Sequence, residues 1–331
     1  MVPDHGGRLN RAAAAYGIAL EHWLDLSTGI NPWPWPVPAL PAFVWQRLPE
    51  ADDGLAGVAR AWAGAPADAG CLPVAGSQAA IQALPRLRAP CRVGVPEPGY
   101  GEHAWWWRQA GHSVVAIPHG AVDRMLETLD VLVWIHPNNP TGLAVSAQRL
   151  LQWHRRLAAH RGWLVADEAF VDPTPELSLT GAAGRDGLIV LRSLGKFFGL
   201  AGLRGGLVFG PNALCRDLKA LLGPWAVSHP ARWLMAQALA DRDWQAGTRQ
   251  WLPTAADALD VVLARHGLKP AGGTALFRYC PHGDAAAVHE AMARQGILTR
   301  LFTNPPALRF GLPADDVGLS TLDQALRGGH G

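Results

Sequence analysis

Between residues 91 and 210 short apolar runs alternate with helix-patterned segments, and no other feature of this sequence restricts its fold as much. The runs 91–95, 113–117, 131–135, 163–166 and 188–191 are strand-length, and 203–209 adds another. Segments 102–110, 121–129 and 147–160 between them carry helical spacing. Runs apolar at consecutive positions need cover on both faces, which specifies a mostly parallel, doubly wound α/β sheet. In such a sheet reactive groups gather beyond the C-terminal ends of the strands.

The flanks are organised differently. Residues 9–20 read as a short Ala-rich helix ending near Gly17, and the Pro-rich run 33–38 must be extended loop, because each Pro removes a donor and restricts its predecessor. Segment 54–63 has helical spacing, and 71–75 leads as a strand into Gly76-Ser77-Gln78 at the start of a helix toward Leu87. After residue 212 helices dominate: 213–222, 231–240, and 244–266 broken by Pro253. A small α+β unit closes the chain, with strands near 275–279 and 307–310 around a helix at 285–295. The expected divisions are an N-terminal arm and substrate loop (1–32), a large domain (33–212) and a small C-terminal domain (213–331).

Composition narrows the function classes. A formal charge of +2 with no run of like charges gives no footprint for nucleic acid or an anionic membrane, so the expected partner is a small molecule. Cys71, Cys91, Cys215 and Cys280 form no CxxC pair, so neither a metal site nor a disulfide framework is expected. The N-terminal residues show no basic segment followed by an apolar one, and no apolar run approaches membrane-span length; a cytoplasmic location is the expectation.

Four polar clusters follow strands. Gly76-Ser77 follows 72–75, Asn138-Asn139-Pro140-Thr141-Gly142 follows 131–135, Asp167-Glu168 follows 163–166, and Ser193 to Lys196 follows 188–191. Lys196, Lys219 and Lys269 are the lysines among 29 basic residues, and Lys196 alone sits between glycines and apolar neighbours. Arg cannot lose its proton, whereas a desolvated Lys can and then attacks a carbonyl. Gly76-Ser77, Ser193 and Arg204 can together cup a phosphate, and an Asp at a strand end can hold a ring nitrogen protonated. A Lys, an anion cup and a ring-facing Asp meet the needs of pyridoxal 5'-phosphate (PLP).

These motifs, with Gly202-Leu203-Arg204-Gly205-Gly206, resemble in order and spacing the fold-type I PLP enzymes of the aspartate aminotransferase superfamily. The resemblance implies that Lys196 binds the cofactor covalently and later moves protons, that Asp167 pairs with the pyridinium, and that Asn139 bonds the phenolic oxygen. It implies Tyr100 as the stacking aromatic with His103 as a second, and Gly76, Ser77, Gln78, Ser193 and Arg204 around the phosphate. It also implies Arg309 as the grip on a substrate carboxylate, a task for a bidentate fork. The sequence departs from the pattern at Phe170, where relatives carry a Tyr, at Gly195, where they carry a hydroxyl residue, and at Leu48-Pro49, where many carry Tyr-Pro.

His5-Gly6-Gly7, the stretch Asp25-Leu-Ser-Thr-Gly-Ile-Asn31-Pro32 and Leu308-Arg-Phe-Gly-Leu-Pro313 are further similar to the threonine-phosphate decarboxylases of cobalamin biosynthesis. That resemblance implies conversion of L-threonine O-3-phosphate to (R)-1-amino-2-propanol O-2-phosphate and CO2. His5 and Gly6, with Asn31 and Asn139 nearby, would meet the phosphorylated amino acid, and Arg309 its carboxylate; a homodimer is implied as well. Histidinol-phosphate aminotransferase is the alternative within the superfamily. A binding scaffold is disfavoured by the intact Lys196 and Asp167, and a DNA-binding regulator by the short arm. Ser193-x-x-Lys196 also matches a serine β-lactamase motif, but its Ser-Asp-Asn and Lys-Thr-Gly partners are missing.

Overall fold

A computed structural model describes residues 3–328 of the chain. In chain order the strands are β1 (Leu24–Asp25), β2 (Gly70–Val74), β3 (Arg92–Glu97), β4 (Ser113–Pro118), β5 (Val131–Ile135), β6 (Trp163–Asp167), β7 (Leu188–Ser193), β8 (Gly206–Gly210), β9 (Gly272–Thr274), β10 (Phe277–Pro281), β11 (Ile297–Leu298), β12 (Arg300–Thr303) and β13 (Pro306–Gly311). They fall into two compact units. The central unit holds Pro34–Asn139 and Ala144–Ala246; the terminal unit holds the residues through Trp33, Pro140–Leu143 and those from Gly247 onward. Residue 212, the sequence boundary, lies inside the central unit, which continues through the helices Asn212–Leu222 and His229–Ala240.

The central unit is built on a seven-stranded sheet of order β2-β8-β7-β6-β5-β3-β4. Neighbours from β4 to β7 pair in parallel, and β8 runs antiparallel to both β7 and β2. Every residue of β5 and β8 is buried, as a sheet covered on both faces requires. One face packs Val93, Val131, Val133, Val165, Ile189 and Leu191 against Ile81, Leu84 and Leu218 of the flanking helices. On the other, Trp134 of β5 meets Trp153 of the helix Ala147–Ala158 edge-on at 5.0 Å. That helix starts where the Ser146 hydroxyl accepts the Arg149 amide at 3.2 Å. The α/β doubly wound expectation is met, and the C-terminal ends of β2, β3, β5, β6 and β7 open on one edge of the sheet.

The terminal unit carries an antiparallel sheet of order β12-β13-β10-β9 and a short parallel pair, β1 with β11. Arg309 stands opposite Tyr279 on one side and Arg300 on the other.

Three local expectations are corrected. Pro253 does not break its helix, which is continuous over Arg242–Arg265. The lost hydrogen bond is offset by burial of Leu252, Ala256, Leu259 and Leu263 along one face. Segment 121–129 is not one helix but a single α-turn, Val122–Met125, between 3₁₀ turns. The strand expected from Leu203 begins at Gly206, because Ala201–Leu203 is a 3₁₀ turn that Arg204 closes in the left-handed region at φ 54°. Among the described residues no helix is long and apolar enough to cross a membrane.

Candidate active site

At the C-terminal edge of the central sheet lies a cavity of about 180 Å³. Gly76, Ser77 and Gln78 enter it from the turn after β2, Tyr100 from the loop after β3, and Asn139 from the loop after β5. Asp167 closes β6, and Ser193, Lys196 and Arg204 come from the end of β7 and the loop beyond it. The structure thus brings together all nine positions that the sequence groups around a cofactor. Phe170 lines the same cavity, and the Lys196 ammonium stands 5.5 Å from its ring centroid.

The end of the cavity at the Gly76-Ser77 turn is built by close backbone approach. Gly76 sits at φ +75°, and a Cβ there would lie 2.7 Å from the Arg204 guanidinium, so only glycine lets that cation reach the turn. The Gly76 amide itself is taken by Val74 O at 2.7 Å, so its role is the missing side chain and not a donated hydrogen bond. Donors that face an anion here include the Ser77 and Ser193 hydroxyls and Arg204, whose other nitrogen is held by Ala201 O at 3.1 Å. Gly195 has a steric reason: a Cβ there would fall 3.2 Å from Ala201 Cα.

The end of the cavity at β6 is organised by Asp167, which is 3 % exposed. Its Oδ1 accepts the Ala169 amide at 3.1 Å, and its Oδ2 lies 2.8 Å from His103 Nε2. His103, expected as a second aromatic at the ring, is not among the residues lining the cavity. It meets Tyr100 only edge-on, at 6.2 Å between centroids, and serves as the hydrogen-bond partner of Asp167. Tyr100 is held by its hydroxyl, which donates to Gln78 Oε1 at 3.2 Å. Gln78 in turn donates to Glu102, which also accepts from the Trp106 indole at 2.7 Å. Gln78 thus orients the aromatic, and its amide is committed to Tyr100 and Glu102.

Behind the site, Glu168 is fully buried beside Arg192 at 3.6 Å, and Arg192 also pairs with Asp172 and lies 4.3 Å over the Trp62 ring. Glu168 accepts from the Leu179 amide at 2.6 Å and the Ser178 hydroxyl at 2.5 Å. Burial nevertheless lifts its carboxyl to about 7, against the pull of Arg192 and these two donors.

The remaining site expectations fall in the terminal unit. His5 and Gly6 line a cavity of about 660 Å³ together with Arg8, Arg11, His289 and Arg300. Arg309 is buried, with Nη2 donating to Ser27 O at 2.8 Å and its guanidinium over Phe277. Burial, reinforced by Arg300, lowers its pKa to about 9. Asn31 does not line the His5 cavity: its Oδ1 caps the Trp33 amide at 3.0 Å, which turns the chain into the Pro-rich segment. Arg300 was missed by sequence reasoning. The available signal was the hairpin around Asn304-Pro305, which sets Arg300 directly across from Arg309.

The pattern of the family Aminotransferase class I and II matches residues 63–317, spanning the whole central site. The chain belongs to this family. It is 52 % identical over 325 residues to a threonine-phosphate decarboxylase of Pseudomonas aeruginosa, covering 98 % of this chain and 97 % of that protein. A protein of the same name from a Sinorhizobium species is 42 % identical, with 97 % of each chain covered. Among solved structures, the histidinol-phosphate aminotransferase of Sinorhizobium meliloti in complex with pyridoxal-5'-phosphate superposes with a TM-score of 0.84 over 99 % of this chain and 96 % of that one. At 19 % identity that likeness concerns the fold alone.

PLP fits the central cavity on the structure's own terms. A lysine reaches the cavity, a buried carboxylate with an oriented second partner faces it, and a glycine cradle brings a guanidinium and two hydroxyls to one end.

Proposed function

We propose that this family member is a PLP-dependent decarboxylase acting on L-threonine O-3-phosphate, yielding (R)-1-amino-2-propanol O-2-phosphate and CO2 in cobalamin biosynthesis. The observation that carries this reading is the 52 % identity to a threonine-phosphate decarboxylase over nearly the whole of both chains. Histidinol-phosphate aminotransferase, the other candidate, is the more distant likeness: the enzyme of Aeromonas salmonicida is 28 % identical over 256 residues, covering 70 % of each chain.

PLP, when bound, supplies an electron sink for the pair released as a bond at the substrate Cα breaks. The chain's own residues do the rest. Lys196 binds the cofactor, and its Nζ returns the one proton that Cα requires after CO2 departs. Asp167 keeps the ring nitrogen protonated, and His103 fixes the carboxylate for that task through its 2.8 Å bond. Tyr100, steadied by Gln78, covers the ring, and Asn139 bonds its phenolic oxygen, a job that Phe170 cannot share. Ser77, Ser193 and Arg204 hold the cofactor phosphate.

On the substrate side, Arg309 takes the carboxylate that leaves. His5 and Gly6 meet the substrate phosphate, and Arg300, in the same cavity as His5, adds the planar donor set that suits a phosphomonoester dianion. Asn31 shapes the substrate loop through its cap on Trp33. A homodimer in the cytoplasm completes the proposal; Val37, Trp45 and Leu48 are exposed at 54 %, 67 % and 62 %, an apolar stretch that a second copy would cover.

Substrate competition tests the reaction. The PLP-loaded protein should release CO2 from L-threonine O-3-phosphate and should form no glutamate from histidinol phosphate with 2-oxoglutarate. Sustained glutamate formation without CO2 release would replace the decarboxylase by the aminotransferase.

A further inference from the structure

Ser27 is 1 % exposed and uses every polar atom it has. Its amide and its hydroxyl both donate to Asp25 Oδ1, at 2.9 and 2.6 Å, which fixes the direction of the hydroxyl proton and leaves the oxygen free to accept. What it accepts is the Gly7 amide, at 2.7 Å. On the other side, the Ser27 carbonyl accepts from Arg309 Nη2 at 2.8 Å. One buried residue therefore holds both the N-terminal segment that carries His5 and the arginine assigned to the substrate carboxylate.

The contact is close on the arm side. A Cβ on Gly6 would lie 2.3 Å from the Ser27 carbonyl oxygen, so the arm rests directly on the peptide group that holds Arg309. Gly7 turns at φ +75°, a conformation that brings its N–H back onto the hydroxyl and that L side chains rarely adopt. Ser27 is itself locked in place. Asp25 pairs with Leu298 in β1–β11, the Leu26 amide donates to Leu298 O at 2.8 Å, and the Gly311 amide donates to Leu26 O at 2.7 Å. Gly311 ends the strand that carries Arg309. A second tie from the arm, Asp4 to Arg300, reaches the neighbouring strand β12.

We propose that Ser27 is a positioning residue that couples His5 to Arg309, so that the spacing between the phosphate and carboxylate grips is set by one buried hydroxyl and one carbonyl. The proposal rests on the roles given above to His5 and Arg309. It makes the Asp25-Leu-Ser-Thr-Gly stretch a gauge that favours substrates whose two anionic groups are separated as in a 3-phosphorylated 2-amino acid.

The test compares the PLP-loaded wild type with Ser27→Ala and Gly6→Ala. The first removes the acceptor for Gly7, and the second pushes the exposed arm off the Ser27 carbonyl while leaving the buried stretch intact. Both should raise KM for L-threonine O-3-phosphate about tenfold, the equivalent of one hydrogen bond, with kcat of Ser27→Ala within about twofold of wild type. Both should retain the cofactor's absorbance spectrum. Independently of activity, amide hydrogen exchange at residues 5–8 should accelerate in Ser27→Ala. Unchanged KM in both variants, or unchanged exchange in Ser27→Ala, would overturn the coupling, as would a fall in kcat and cofactor retention with KM constant. If the wild type fails to decarboxylate while exchange accelerates as expected, the functional reading has failed and the tie between Ser27 and the arm stands.

Discussion

Glu168 offers the sharpest physical test of the region behind the site. It is fully buried, and its carboxyl rises from 4.5 to about 7 because burial outweighs Arg192, Ser178 and the Leu179 amide. A carboxyl whose folded pKa is raised contributes stability that is present in full below about 4.5 and is lost as pH rises through about 7. At 1.36 kcal/mol per pKa unit the swing between pH 5 and pH 8 is roughly 2 to 3 kcal/mol. Glu168→Gln keeps the shape, still accepts from Leu179 and still meets Ser178, while Arg192 keeps Asp172 as its counter-ion. Urea unfolding of both PLP-loaded proteins at pH 5 and pH 8 should show the variant gaining about that much on the wild type as pH rises. A difference independent of pH, or one that grows in favour of the wild type at pH 8, would refute the view that burial dominates this carboxyl.

Other substitutions probe the remaining parts. Lys196→Ala should abolish the absorbance band of covalently held cofactor and reduce turnover to background; surviving catalysis would remove Lys196 from its role. His103→Phe deprives Asp167 Oδ2 of its partner and should lower kcat roughly tenfold with PLP still bound, whereas an unchanged kcat would make the pair merely structural. Arg300→Ala should raise KM for the phosphorylated substrate by on the order of a hundredfold and barely affect cofactor affinity, as measured by PLP titration. Equal loss of cofactor affinity would place Arg300's influence elsewhere.

What the sequence made legible was local. The apolar runs determined the central sheet because burial on both faces leaves few other solutions, and residues just past strand ends share an edge whatever their spacing along the chain. That is why Gly76, Tyr100, Asn139, Asp167 and Lys196 could be grouped before their contacts were known. What escaped depends on pairing across distance. His103 and Asp167 are 64 positions apart, and nothing in the helix Gly101–Gln109 distinguishes a stacking imidazole from one bonded to a carboxylate. Arg300 required the β12–β13 register: the Asn304-Pro305 turn signals a hairpin but not which residues stand opposite one another across it. Pro253 misled because intrinsic propensity yields to a buried helical face. At the Gly76-Ser77 turn, expected to cup an anion, the Gly76 amide instead closes its own turn onto Val74.

As a decarboxylase, this aminotransferase-family chain breaks the Cα–carboxylate bond and needs no amino acceptor. Mass analysis of the PLP-loaded protein incubated with excess L-threonine O-3-phosphate, and no keto acid, tests it most directly. A product lighter than the substrate by CO2 should accumulate over many turnovers. Consumption of one equivalent of substrate per cofactor with no loss of CO2 would contradict it and identify half of an amino-transfer reaction instead.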